Sequence, residues 1–467
     1  MRVILLHLSA MGFCVAGLIN PVIGLLGYMW YSLMRPDALA WTEGQYPYSL
    51  MLAAVTLFGA WRYAGNLGGW ITNPFVWSLL LMQPPILLSI LYAPKPDLAW
   101  AAYGKFFKIL VICLLIPLLV QTEKHLRWVL LLMVVSLGTL GFKFGLFGLR
   151  SGGVHIETGL GGFMSDNNTL AMALVMAFPM IWFARGLVEE KWQKTALVVV
   201  AFTTVVAVIM SHSRAAALTL GVVYLFMSAR SKHKVAMAMM AVILSLPAVY
   251  LVKDSFFKRM KTLENPEAEG SAKERMGYAR AAVKMWKDYP AFGVGFGTEN
   301  WALLSSGYLG RKNVQGHVVH NNYLQTAVDS GTAAFVLLCL QLFGAIGWLG
   351  LSAGRMRRLA PDKEVYPRML QLALIAFSFC SLFASRTDYD FYYYLIMATG
   401  SWMIVERNEI LARVYAPAAQ AEPLSPDPAT APAGVTAGPA SYVTAEREAG
   451  KRQPRWARER DLPRRAA

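Results

Sequence analysis

The stretch Thr332-Ala-Ala-Phe-Val-Leu-Leu-Cys-Leu-Gln-Leu-Phe-Gly-Ala-Ile-Gly-Trp-Leu-Gly-Leu351 contains no charged residue. As an α-helix, about 20 such residues cross the hydrocarbon core of a bilayer. Similar apolar runs recur on both sides of it. They occupy 3–34 (interrupted at Asn20-Pro21), 47–64, 72–92, 100–120, 127–148, 164–184, 195–211, 213–229, 235–252, 322–352, 366–385 and 389–405. The sequence therefore predicts an all-α polytopic membrane protein with about twelve transmembrane helices, counting 3–34 as one crossing. Pro21 removes a backbone donor, so 3–34 also reads as two short helices. A closed β-barrel is excluded, because barrel strands alternate in short segments and these runs are continuous.

Composition agrees. Of 467 residues, 56% are hydrophobic and 15% charged, and the mean hydropathy is +0.42. Soluble domains carry about 25% charge. The net charge is +16, yet the basic residues gather at the ends of spans. Orientation signals and anionic lipid headgroups account for that, and no nucleic-acid partner is expected. Cys14, Cys113, Cys339 and Cys380 all lie in apolar runs without metal-ligand spacing. They read as small core hydrophobes, not as disulfides or a zinc site. Val3 to Leu18 lacks a small-residue cleavage site and reads as a retained membrane segment.

Short basic loops set the orientation. Lys124 and Arg127; Arg185, Lys191 and Lys194; Arg230, Lys232 and Lys234; and Arg355, Arg357 and Arg358 fall on one face by span counting. The positive-inside rule makes that face cytoplasmic. The long 253–321 segment, Arg214, and the 149–163 and 386–390 loops then face outward. Three regions follow: N-terminal transmembrane helices at 1–160, a core at 161–415 that includes the 253–321 loop, and a disordered basic cytoplasmic tail at 416–467. Within the loop, Ser271 to Lys287 has a helical period. Met276, Ala279, Val283 and Trp286 share a face, as in a helix lying on the membrane surface.

Polar clusters mark where a membrane protein does chemistry. Gly293-Val-Gly-Phe-Gly297 lacks the strand and the Lys-Ser/Thr pair of a nucleotide fingerprint and reads as a tight turn allowing close backbone approach. Asp388-Tyr-Asp390 matches the Asp-x-Asp of metal-assisted glycosyl transfer. Its plainer reading is a polar loop opening a span, with Tyr392, Tyr393 and Tyr394 in an interfacial aromatic belt. Lys105, Lys108, Lys143 and Arg150 lie near outer span ends. With Arg214, Arg275 and Arg280 they would line a basic outward cavity suited to a diphosphate, unless each only serves its own helix end. His317 and His320 precede a helical run, and an imidazole there suits a general base.

These stretches together resemble the O-antigen ligase and polymerase superfamily. The resemblance rests on Ser213-Arg214, on Arg275 followed by Tyr278, and on Pro290-Ala-Phe-Gly-Val-Gly-Phe-Gly297. It continues through His320-Asn-Asn-Tyr-Leu324 and Asp329-Ser-Gly331, where the intervening Ser is a small departure. It covers roughly residues 160–405. Lys143-Phe-Gly and Asp166-Asn-Asn168 resemble the branch called putative O-glycosylation ligases of exosortase systems. The resemblance implies a GT-C-like, metal-independent, inverting glycosyltransferase of the bacterial inner membrane, with its site facing the periplasm and no cofactor. Its expected partners are an undecaprenyl-diphosphate-linked glycan donor, a hydroxyl acceptor on protein or lipid-linked sugar, and membrane lipid. Carried over by position, Arg214 and Arg275 would hold the diphosphate and His320 would activate the acceptor. Arg280 competes with Arg275. Lys105, Lys108, Lys143, Arg150, Asn321 and His317 are grouped as substrate-binding. An O-antigen or exopolysaccharide polymerase, and a non-enzymatic transporter of lipid-linked glycan, are the alternatives. Transporters place their sites near the midplane, whereas the polar groups here gather at the outer face.

Overall fold

The computed structural model describes residues 1–42, 46–151, 156, 158–230, 270–309 and 318–420. The expected span at 235–252, most of the first part of the loop, and His317 lie outside the described residues. Met1–Ile410 forms one compact unit that holds every residue discussed below; the second unit, Leu411–Ala467, is described only as the helical stretch to Gln420.

The segment expected as one crossing or two short helices is two helices, α1 (Arg2–Ile19) and α2 (Pro21–Met34). Asn20 ends the first and caps the second, its side chain accepting the Val22 N–H at 3.0 Å. Pro21 stands at the first helical position, where no donor is needed. Gly17 lies against Gly24, and Gly27 against Phe13, so the two helices fold back on each other. The following helices are α3 (Tyr48–Ala60), α4 (Pro74–Leu91, in two abutting pieces), α5 (Pro96–Leu119) and α6 (Glu123–Arg150). After them come α7 (Asn167–Phe183), α8 (Lys191–Met210) and α9 (Arg214–Arg230). The loop contributes α10 (Gly270–Asp288) and α11 (Thr298–Leu309). The last three are α12 (Asn322–Leu359), α13 (Val365–Cys380) and α14 (Asp390–Gln420).

Seven helices among the described residues are long and apolar enough to cross a membrane. The protein is a polytopic helical membrane protein on that ground. The fold is not wholly α: a two-stranded antiparallel hairpin, β1 (Thr158–Gly161) and β2 (Met164–Asp166), leads into α7. Gly138, Gly141, Gly145 and Gly148 form a stripe on α6. A Cβ on any of the last three would overlap Thr204, Thr203 or Met210 of α8. This is small-residue packing, which brings helices together where apolar burial alone gives no drive.

Two expectations are corrected here. Tyr392, Tyr393 and Tyr394 are buried at 1%, 3% and 0% exposure, so they belong to the core and not to an interfacial belt. Tyr392 stacks on Phe377, with centroids 4.2 Å apart, and donates to Gln341 Oε1 at 2.7 Å. The buried face of α10 is Tyr278, Ala281, Ala282 and Met285, not the Met276 stripe. These side chains form a small second core with Val294, Trp301, Val319 and Val328. The loop thus folds as a cap on its own core.

That cap is anchored by a break in α12. Gly331 has φ +79°, and the break leaves the carbonyls of Val328 and Asp329 without helical partners. They accept the N–H groups of Val294 and Gly295 at 2.8 and 2.9 Å, and Thr332 N–H donates to the Pro290 carbonyl at 2.9 Å. The glycine-rich turn and the Asp329-Ser-Gly331 motif are therefore two halves of one joint.

At the opposite end of the bundle, Lys363 pairs with Glu123 and Glu409 at 2.8 and 2.6 Å. Arg357 and Arg368 pair with Glu364 at 2.7 and 3.0 Å. Partial burial pushes the Glu364 carboxyl up, but the two guanidinium groups outweigh it and hold it below its usual range.

Candidate functional site

Helices α7, α9, α12 and α14 all begin at one end of the bundle, the end opposite that ion-pair cluster. Each helix start carries partial positive charge and unused N–H groups. The cap helices α10 and α11 lie over this end, and a cleft opens between. It consists of two cavities of about 420 and 360 Å³ that share Asn168, Arg275, Phe383 and Ala384.

The smaller cavity holds Arg214, Arg275 and His212, with Asn167, Asn168 and Ser213 beside them. Among the described residues no carboxylate lines it. Arg214 is the first residue of α9. Arg275 is carried in by α10, because it lies one turn before Tyr278 on the face that packs inward. Asn167 Nδ2 donates to the Ser211 carbonyl at 2.9 Å and so ties the starts of α7 and α9 together.

The larger cavity holds Arg275 again, with His320, Lys105, Arg386, Asp166, Glu299 and Asp388. His320 has φ +59°, and its ring centroid lies 6.3 Å from that of Tyr278. Its neighbours are held tightly. Asn321 caps α12 by accepting the Leu324 N–H at 3.0 Å, and its own N–H donates to Ser385 Oγ at 3.1 Å. Asn322 Oδ1 accepts the Arg386 N–H at 3.0 Å. The His320 and Arg386 segments are thus fastened to each other. The Arg386 guanidinium also donates to Ser165 Oγ and to the Gly162 carbonyl of the hairpin. A non-glycine residue held left-handed stores strain and persists only where its surroundings fix it.

The structure sorts the expected site residues. Arg214, Arg275, His320 and Lys105 line the cleft. Arg280 does not: it sits on the exposed side of α10. Lys108 is exposed on α5 and lines neither cavity. Lys143 is exposed on α6 beside the Phe144 ring, and Arg150 closes α6, where its charge meets the negative helix end. Asn321 is a helix cap with its side chain committed. Asp388 and Asp390 diverge: Asp388 faces the cleft, and Asp390 accepts a hydrogen bond from Ser32 at 2.6 Å. They do not form one metal clamp.

Sequence reasoning missed Arg386, Glu299 and Phe383. Arg386 carried a usable signal, since a cation in a short outward loop runs against the positive-inside rule.

Residues 199–339 match the family model described as O-Antigen ligase. This core belongs to the O-antigen ligase superfamily. Arg214, Arg275 and His320 of the cleft lie inside the matched ligase segment, whereas Arg386 lies beyond it. Residues 1–187 match a family of unknown function (DUF5935), which includes Lys105, Asp166 and Asn168. The cleft is therefore built from both matched regions. No curated protein matches the chain.

Proposed function

We propose that this protein is a glycan ligase of the bacterial inner membrane. It transfers an oligo- or polysaccharide from undecaprenyl diphosphate to an acceptor hydroxyl on the periplasmic face. The observation that carries this reading is the smaller cavity, where Arg214 and Arg275 share a space with the starts of α7 and α9. Such a site suits a doubly charged phosphate group.

In this reading the acceptor O–H gives its proton to His320. The oxygen attacks the anomeric carbon from the face opposite the diphosphate, so the configuration inverts. The bond from that carbon to the diphosphate oxygen breaks, and the leaving group takes the electron pair. Arg214 and Arg275 are already placed to hold its growing charge, which lowers the barrier without reorganisation. No step calls for a metal, and transfer should survive EDTA.

The test is glycan transfer by purified protein from an undecaprenyl-diphosphate donor, with no gradient present. Arg214→Ala and Arg275→Ala should each lower the rate by about 10²-fold or more, the usual scale for one preorganised donor. Lysine at either position should restore only part, because a point charge cannot reproduce the bidentate fork. Movement of donor across a membrane without product would instead identify a transporter. Loss of transfer on chelation, restored by Mn²⁺ or Mg²⁺, would promote Asp388.

A further inference from the structure

We propose that α10 is a lipid-docking helix: Trp286 holds one flank of it at the membrane boundary, and Arg280, Lys284 and Lys287 take the phosphate oxygens of anionic phospholipid headgroups. This surface is separate from the cleft and does not depend on the transfer reaction.

Depth comes first. The uncharged run of α12 opens at Thr332, and Thr332, Val336, Leu340 and Phe343 stand exposed along one side of it. Residues three and four apart share a helix face, so this is the side of α12 that meets lipid. Trp286 lies at its Thr332 end. The indole Nε1 donates to Thr332 Oγ1 at 3.0 Å, and the ring meets Phe335 with centroids 5.4 Å apart. An indole whose N–H is engaged at the end of an apolar span suits the boundary between hydrocarbon and headgroups. Exposed aromatics recur nearby: Tyr92, just after α4, stacks on Phe292 with centroids 4.6 Å apart, and Trp100 stands near the start of α5.

Helical spacing sorts the rest of α10. Its core face is Tyr278, Ala281, Ala282 and Met285. Beside that face Met276, Ala279, Val283 and Trp286 follow at intervals of three and four, and they are only half-buried, left over once the cap core is complete. Next round the helix come Arg280, Lys284 and Lys287, all exposed. Of the two acids of α10, Glu274 falls on the core side, and Asp288 accepts the Tyr308 hydroxyl at 2.6 Å. A half-buried apolar stripe flanked by cations, next to a tryptophan at the end of a span, is the pattern of a helix lying in the membrane interface. Lysine and arginine stems run along apolar surface while their heads reach the phosphates. A zwitterionic headgroup brings its own cation and would leave three positive charges unmatched, whereas an anionic one matches them. Arg275 rides on the same helix, so whatever seats α10 also seats one wall of the cleft.

The experiment uses the full chain in nanodiscs of phosphatidylcholine, with and without phosphatidylglycerol. Phosphatidylglycerol should slow hydrogen exchange across 276–287 by about tenfold or more, the scale of a few cations meeting an anionic surface. About 1 M salt should erase the difference, since the Debye length falls to about 3 Å. The triple variant Arg280→Gln, Lys284→Gln, Lys287→Gln should exchange at the phosphatidylcholine rate in both discs. A nitroxide attached to Val283→Cys, in a background without the four native cysteines, should collide with oxygen dissolved in lipid more often than with a water-soluble nickel chelate. Equal exchange of the parent in the two discs overturns the anionic lipid. So does an undiminished phosphatidylglycerol response in the triple variant, or equal protection by inorganic phosphate in phosphatidylcholine discs. A nitroxide that meets the chelate more often than oxygen overturns the placement at the membrane.

Discussion

Arg275 and Arg280 lie on the same helix, yet only one reaches the cleft. Arg275 follows the buried line of Tyr278 and Ala282, so packing of α10 aims it inward, whereas Arg280 is exposed. Arg280→Ala should therefore keep transfer within about twofold, as for most surface substitutions, under conditions where Arg275→Ala fails. Equal losses in the two variants would undo the division of roles. His320 differs from both, because its proposed task is proton transfer. His320→Ala should lower transfer by about 10²–10⁴-fold and leave undecaprenyl diphosphate binding intact. Turnover equal to the parent across pH 6–9 would remove it from the mechanism. Arg214, Arg275 and His320 were legible in the sequence because each sits in a short ordered motif. Arg386 was not. It lies far along the chain, and only its hydrogen bonds to Asn322 and the hairpin bring it to the cleft. Arg280, Lys108 and Lys143 show the converse error: a basic residue at the right depth still needs the right face.

Among the elements, the joint between the glycine-rich turn and α12 decides whether the cap sits correctly. Gly331 meets two demands at once. Its φ of +79° is strained for any other residue, and a Cβ there would overlap the Ala291 carbonyl. Gly331→Ala should undock the cap while the membrane helices persist. The expected signature is unchanged far-ultraviolet dichroism, faster hydrogen exchange across 290–297, and a loss of transfer comparable to that of Arg275→Ala. Slow exchange at 290–297 together with full activity would show that the joint does not matter. The motif pair was visible in the sequence, but its meaning was not, since the contact joins segments far apart in the chain. The face of α10 was misread for a related reason. Apolar period alone offered the Met276 stripe, while the real core is completed by Trp301 and Val319 from elsewhere in the loop. The three tyrosines at 392–394 were assigned to a lipid interface because sequence shows polarity and not partners. Phe377 and Gln341 supply those partners.

At the scale of the whole molecule, charge separates along the axis of the bundle. One end carries the cleft, with Arg214, Arg275 and Arg386; the other carries the Lys363, Arg357 and Arg368 ion pairs and the basic loop around Lys191. Span counting reaches the same division, and seven helices among the described residues are long and apolar enough to cross alone. Val365–Cys380 is almost wholly buried, so its apolarity serves the core as much as the lipid. In the proposed orientation the short basic loops stay in the cytoplasm, as the positive-inside rule has it. The cleft then faces outward, where lipid-linked glycans are presented in the proposed reaction. Gly307 on α11 is exposed, with open space around its Cβ position, and Glu189 is exposed at the other end. In a background without the four native cysteines, Gly307→Cys should react with a membrane-impermeant maleimide in cells whose outer membrane alone is permeabilised. Glu189→Cys should react only after the inner membrane is broken. The reverse pattern would invert the protein, put Arg214 and His320 in the cytoplasm, and separate them from a periplasmic donor.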